Sequence, residues 1–198
     1  MDINLGALRI VPVVQHKELV AHQVLDALST SLDTSRIGVA EIEPELSDTA
    51  AFCKHYQIQS DQAANCVVLE AKRADRIWFA VCVILSSTRA DVNGLVRRTL
   101  DARKVSFAAM EQAVAQTGME YGAITPIGLP KDWPILIDMA VVNSKYVVIG
   151  SGIRKSKLIL PGNLLAFLPN VQVLENLGMP YLSGELKKFD LIVENLET

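Results

Sequence analysis

Histidine and cysteine, the side chains that most often ligate transition metals or act as nucleophiles, are scarce in this chain, at three each in 198 residues. His16, His22 and His55 lie far apart, with no cysteine pair at ligand spacing beside them. That argues against a structural or catalytic zinc site, and no cofactor is called for. Cys53, Cys66 and Cys82 form an odd, widely spaced set without a Cys-x-x-Cys, which fits reduced thiols better than a disulfide frame. Cys66 and Cys82 sit in apolar strand patterns and read as buried structural thiols. There is no P-loop, no Gly-x-Ser-x-Gly elbow and no Gly-x-Gly-x-x-Gly after a strand, which argues against phosphate-loop enzymes, serine hydrolases and dinucleotide binders. The longest apolar run, Ile77 to Leu85, is far short of the roughly 20 residues that cross a membrane. Met1-Asp2-Ile3-Asn4 opens no basic segment ahead of an apolar stretch, so no secretory signal is expected and the cytoplasm is the expected location. The net charge is −3, so any contact with nucleic acid must come from a local basic patch.

What is present is apolar. Half the residues are hydrophobic and 21% are charged, enough to build a sizeable core. With no repeat, low-complexity tract or linker, the chain reads as one domain over residues 1–198. Its core spans about 45–174, with an N-terminal extension at 1–44 and a C-terminal appendage at 178–198.

Leu8 to Val14 suggests a strand, and Glu18 to Leu28 a helix with Leu19, Val20, Val24 and Leu28 on one side. Ile37 to Ile42 alternates like a half-buried strand, and Ser47 or Asp48 can cap a helix reaching Tyr56. Cys66 to Leu69 rises into the turn Arg73-Ala74-Asp75 and returns through Arg76 to Leu85, the clearest hairpin. Asp91 can cap a helix striped by Val92, Leu95, Val96 and Leu100, and a helix from about Ala109 should stop at Gly118. Short apolar strands follow at Ile135–Ile137, Tyr146–Ile149, Leu158–Leu160 and Val171–Leu174, with a short helix at Leu164–Leu168. Helices alternate irregularly with hairpins, so the fold class is mixed α/β.

Two loops invite a ligand. Gly122-Ala123-Ile124-Thr125-Pro126 runs on through Ile127 to Gly128, a rigid path with exposed backbone N–H groups, though an ordinary structured loop fits the same composition. Gly150-Ser151-Gly152-Ile153-Arg154 follows an apolar strand. Its glycines let backbone approach a ligand closely, and Arg154 can hold an anionic or carbonyl group; a β-turn with a solvated arginine is the plainer reading. Asp138 at a strand end is a helix cap, a turn former or a polar anchor, with capping the safest. Arg89, Arg97 and Arg98, near Arg103 and Lys104, make a face that suits phosphate contact, although such a face is more often simply solvated.

In order and spacing, Asn65-Cys66-Val67-Val68-Leu69, Arg89-Ala90-Asp91-Val92-Asn93, the Gly122 to Gly128 loop, Ile137-Asp138 and Gly150 to Arg154 resemble the YbaK/EbsC family. That family comprises aminoacyl-tRNA deacylases and the editing domain of bacterial prolyl-tRNA synthetases, and the likeness covers about Glu45 to Leu174. It implies a mixed β-sheet or barrel flanked by helices, and trans-editing of mischarged tRNA. It further implies that Asn65 orients the ester or terminal nucleotide and that Gly150, Ser151 and Gly152 hold the oxyanion. Gly122 to Pro126, with Asp138, would wall the amino-acid pocket, Arg154 would steer phosphate or carbonyl, and Arg89, Arg97 and Arg98 would contact RNA. The substrate's own ribose hydroxyl would help to orient water, so no side-chain base is obligatory. The chain departs from the family in one place: where a lysine usually precedes the strand, here stands Asn65. Loss of a charge-assisted contact in a partly dry site costs on the order of 1.5–3 kcal/mol. Lys72 and Arg154 are the cations considered in its place. Without such a cation the alternative is a module that binds an aminoacyl-adenosine end or small metabolite without hydrolysis. Oligomeric state is left open, a homodimer included.

Overall fold

Residues 3–181 are described by a computed structural model. In chain order the elements are β1 (Ile10–Pro12), α1 (His22–Ser31), β2 (Gly38–Glu41), α2 (Thr49–Tyr56), β3 (Ala64–Arg73), β4 (Arg76–Leu85) and β5 (Thr88–Ala90). A π-helical turn over Val92–Val96 runs into α3 (Arg97–Thr99), followed by β6 (Lys104–Phe107), α4 (Met110–Thr117), β7 (Ile135–Asp138) and α5 (Met139–Val142). β8 (Val147–Gly150), β9 (Ser156–Leu160), a 3-10 stretch at Gly162–Phe167, β10 (Val171–Leu174) and β11 (Gly178–Pro180) complete it.

The helix starts follow their caps. Asp48 accepts from the N–H groups of Ala50 and Ala51, and Asp91 from those of Gly94 and Leu95 at 3.1 and 2.7 Å. Gly118 ends α4 in the left-handed conformation, with φ 65°. Arg73 and Arg76 pair across a two-residue turn that puts Ala74 at φ 50°.

The larger sheet has five strands in the order β10-β7-β4-β3-β6. β10, β7 and β4 are parallel, and β3 adds antiparallel to β4 and to β6. A four-stranded antiparallel sheet, β1-β2-β9-β8, stands beside it, and β5 and β11 form a small pair. All three sheets keep open edges among the described residues, so the architecture is a mixed α/β set of sheets and not a closed barrel. Along β4, Val81 and Val83 belong to the main core while Cys82 and Ile84 belong to a second cluster on the other face. A strand buried on both faces needs a continuous apolar run, which is what Ile77 to Leu85 supplies.

The smaller sheet is likewise two-faced. Val39, Ile149, Leu158 and Leu160 turn toward the main core, whereas Ala40, Val148 and Ile159 meet Phe52 of α2. β2 is therefore buried on both sides, not half-buried as its alternation suggests, because α2 covers the face that would otherwise meet water. The two larger sheets meet where Ala63 bridges Val148 in parallel.

Two expectations are corrected locally. Glu18 to Leu28 is not one helix: a 3-10 turn at Lys17–Leu19 gives way to extended Val20, and α1 begins at His22. The cause is the Ala21 N–H, which donates to the Ser151 carbonyl at 3.0 Å and pulls the chain out of helical register. Gly178 to Pro180, expected to begin a C-terminal appendage, instead pair with Ala90, Arg89 and Thr88. The rest of that segment, 182–198, lies outside the described residues. No helix of the described residues is long and apolar enough to cross a membrane.

Gly150 has a packing reason. A Cβ there would overlap the carbonyl oxygens of Ala123 and Ile124. Gly150→Ala should lower stability by about 1–3 kcal/mol, the usual cost of overpacking, or more where backbone must move. Urea unfolding checks this, and a change within 0.5 kcal/mol would mean that the two loops do not touch.

Candidate functional site

A cavity of about 890 Å³ opens between the sheets. One wall is the start of β3, from Ala64 to Val68; another is the capped end of α2, with Ser47, Asp48, Thr49 and Cys53. Ser86 and Ser87 of the β4–β5 turn, Met110 and Ala113 of α4, and Gly122 and Ile124 line it further. Gly150, Arg154 and Lys157 come from the β8–β9 hairpin. Phe107, Met110 and Tyr121, large apolar residues exposed to solvent, belong to the same lining. Apolar walls with a few placed polar groups are the usual make-up of a small-molecule site.

Lys157 is the residue that sequence reasoning missed. It is 5% exposed, on the β9 face that α2 covers, where its neighbour but one, Ile159, packs against the Phe52 cluster. Its Nζ donates to the Ser47 carbonyl at 2.8 Å and, more loosely, to the Gly122 carbonyl at 3.4 Å, and lies 5.4 Å from the centre of the Phe52 ring. Burial lowers its pKa to about 8, against a partial upward pull from Asp48 and Cys53 and a further push down from Arg154. The available signal was a lysine standing directly before the apolar run Leu158 to Leu160, just after the glycine loop.

Arg154 stands nearer the rim. Its guanidinium donates to the Pro44 carbonyl at 2.9 Å and the Tyr121 carbonyl at 3.3 Å, and its backbone N–H to Glu120 Oε2 at 2.5 Å. Among the described residues neither Arg154 nor Lys157 has a side-chain ion pair, so main-chain dipoles solvate both charges without neutralising them. Asn65, on β3, accepts from Thr49 Oγ1 at 2.6 Å through Oδ1, which leaves its NH₂ as a donor. Lys72, considered as a substitute cation, is exposed, pairs with Ile77 and Lys104, and does not line the cavity.

Of Gly150, Ser151 and Gly152, Gly150 alone lines the cavity. Ser151 is fully buried, its hydroxyl 2.7 Å from Ser156 Oγ and 3.0 Å from the Ile153 and Ser156 carbonyls. The Gly152 N–H donates to the Ala123 carbonyl at 2.8 Å, so the oxyanion role expected of it finds that donor already bonded. Of the second loop, Gly122 and Ile124 reach the cavity, while Ala123, Thr125 and Pro126 are buried behind it. The Thr125 hydroxyl has no partner among the described residues. Asp138 caps α5 through the Ala140 N–H at 2.7 Å and also accepts from the Gly178 N–H; it does not line the cavity. Arg97 and Arg98 are exposed on α3, and Arg89 is half-buried on β5, close in sequence to the lining turn. Cys66 and Cys82 are pushed up by burial, Cys82 to about 12, so neither thiol ionises readily.

The family model for the aminoacyl-tRNA editing domain matches residues 43–168. Among solved structures, a candidate trans-editing enzyme for prolyl tRNA synthetase is similar at 18% identity and a TM-score of 0.65, with 77% of this chain and 93% of that chain covered. A hypothetical protein is similar at 15% identity and a TM-score of 0.67, covering 80% of this chain and 100% of that one. At such identities the likeness speaks for the fold. No protein of curated function matches the chain.

The buried ammonium has a thermodynamic signature. The folded pKa of about 8 lies below the ordinary 10.5, so between these values the unfolded chain binds more protons and stability rises with pH. The penalty present below that window and relieved across it is about 3 kcal/mol. Urea unfolding of wild type and Lys157→Met from pH 7.5 to 10.5 should show wild type gaining on the variant by that order. The buried thiols act in the opposite sense but equally in both proteins. A stability difference that stays constant with pH would mean that Lys157 is well solvated.

Proposed function

The chain belongs to the aminoacyl-tRNA editing domain family, and from that premise we propose that it hydrolyses the ester of mischarged aminoacyl-tRNA, acting in trans on the acceptor end. The observation that carries this reading is the cavity itself: large enough for an aminoacyl ester and its ribose, apolar along one side, and on the other carrying two cations that make no direct ion pair among the described residues, with Asp48 as the one carboxylate in the lining. A developing oxyanion is stabilised by preorganised donors in a water-poor site, and neither nucleophile nor metal is needed for that.

In this reading Asn65 donates its NH₂ to the ester or the terminal nucleotide, and Gly122, Ile124 and Gly150 shape the amino-acid pocket. Ala123, Thr125, Pro126, Ser151 and Gly152 act behind it, holding the two loops together. Arg154, already tied to two carbonyls, presents charge at the rim to steer phosphate. Arg89, Arg97 and Arg98 remain the proposed contacts to the RNA beyond the cavity, and the cytoplasm, where tRNA is charged, is the setting. Pocket volume and acceptor-stem contacts set which amino acid is removed.

One observation favours a second reading. Asn65 carries no charge in the slot where the family usually has lysine, which suits a module that binds an aminoacyl-adenosine end without cleaving it.

Purified protein incubated in chelator with radiolabelled mischarged tRNAs, alanyl- and cysteinyl-tRNA for proline among them, separates the two readings. Deacylation by wild type, with Arg154→Ala slower by about tenfold as expected for a lost charge-assisted contact, supports the enzyme. Inert wild type beside an active Asn65→Lys supports the binder. Silence from all variants sinks editing of these substrates.

A further inference from the structure

A buried lysine without a carboxylate partner is costly, and Lys157 bears that cost inside the cavity that the mechanism needs. Resting on the deacylase reading and deepening it, we propose that the Lys157 ammonium is the donor that grips the substrate's ester carbonyl oxygen and holds the negative charge that develops there.

Three observations converge. An ammonium has three N–H bonds; Ser47 and Gly122 accept from two of them, and the third is left for a ligand. The two acceptors belong to different walls, the approach to α2 and the loop after α4, so they fix the Nζ position before any substrate arrives. Of the three donors expected from the glycine loop, Gly150, Ser151 and Gly152, the Gly152 N–H is bonded to Ala123, and Arg154 is held at the rim by Pro44 and Tyr121. Lys157 thus supplies from β9 the positive charge that Asn65 on β3 does not.

In the reaction, a water oxygen bonds to the ester carbonyl carbon, and the carbonyl π pair moves onto the oxygen held by Lys157. The tetrahedral intermediate then collapses with cleavage of the bond to the ribose oxygen. One proton of the water ends on the ribose hydroxyl and the other is released to solvent as the acid product ionises. Lys157 keeps its proton throughout. The charged and titratable groups facing it are Asp48 and Cys53 from α2 and Arg154 from the β8–β9 connection.

The experiment measures kcat and KM for deacylation across pH 6.5–9.5 in wild type, Lys157→Met and Asp48→Asn, the last keeping a side chain that caps helices well. Loss of one oxyanion donor lowers kcat by about 10²–10³, and Lys157→Met should do so with KM within about threefold. Wild-type kcat should fall as pH rises through about 8, and the fall should begin at lower pH in Asp48→Asn, which removes the acidic neighbour. Lys157→Met within threefold of wild type in kcat overturns the proposal, as does a wild-type kcat that climbs across the same range, the behaviour of a base. If wild type is inert on every mischarged tRNA, the deacylase reading fails separately, and calorimetry with a stable phosphonate analogue of alanyl-adenosine, whose anionic oxygen stands where the charge would develop, judges Lys157. Tenfold weaker binding by Lys157→Met then supports its hold on that oxygen, and equal binding overturns it.

Discussion

Two cations on one hairpin hold four main-chain carbonyls that belong to two other segments, and the cavity exists because of that arrangement. Arg154 reaches the carbonyls of Pro44 and Tyr121, and Lys157 those of Ser47 and Gly122. Each cation thereby ties the approach to α2 to the loop after α4, one at the rim and the other at depth. Carbonyl oxygens satisfy N–H donors without cancelling charge, unlike a carboxylate, so the field of both groups survives into the cavity. The same bonds that position the walls make the site electropositive within a chain of net charge −3.

This division bears on the proposed ester hydrolysis, for which the site offers no serine triad. The thiols of Cys66 and Cys82 are held protonated by burial, and the hydroxyl of Ser151 lies within a buried network with Ser156. What faces the cavity is a set of donors: an amide on β3, a guanidinium at the rim and an ammonium on β9. Donors fixed in advance favour a charged transition state over a neutral ester, and in the proposed reaction that difference would be the source of rate.

The parts legible in the sequence were those set by local chemistry. Asp48, Asp91 and Asp138 cap helices where their positions suggest, Gly118 ends α4, and the turn at Ala74 closes the hairpin. The mixed α/β class follows from the same signals. What escaped depends on which strand lies beside which. Lys157 lies just outside the apolar run Leu158–Leu160, and its burial follows only from α2 covering that face. Ser151 stands in a loop expected to face a ligand, but the hairpin folds its hydroxyl onto Ser156. β2 reads as half-buried for the same reason, and Gly178 to Pro180 join β5 through backbone bonds that no side-chain pattern announces. The three arginines show the converse: a cluster in sequence that the fold places outside the cavity lining.

The contact of Gly150 with the carbonyls of Ala123 and Ile124 limits how such a pocket can diversify. With backbone against backbone, the loop has no room to retreat, and lengthening or shifting it would dislodge the hairpin that carries both cations. Change of preference is then channelled into side chains that stand on this fixed frame, Ile124, Met110 and Ala113, which can be enlarged or trimmed one methyl group at a time. The scaffold behaves as a rigid mould with exchangeable inserts, a design in which selectivity can drift while the apparatus behind it stays the same.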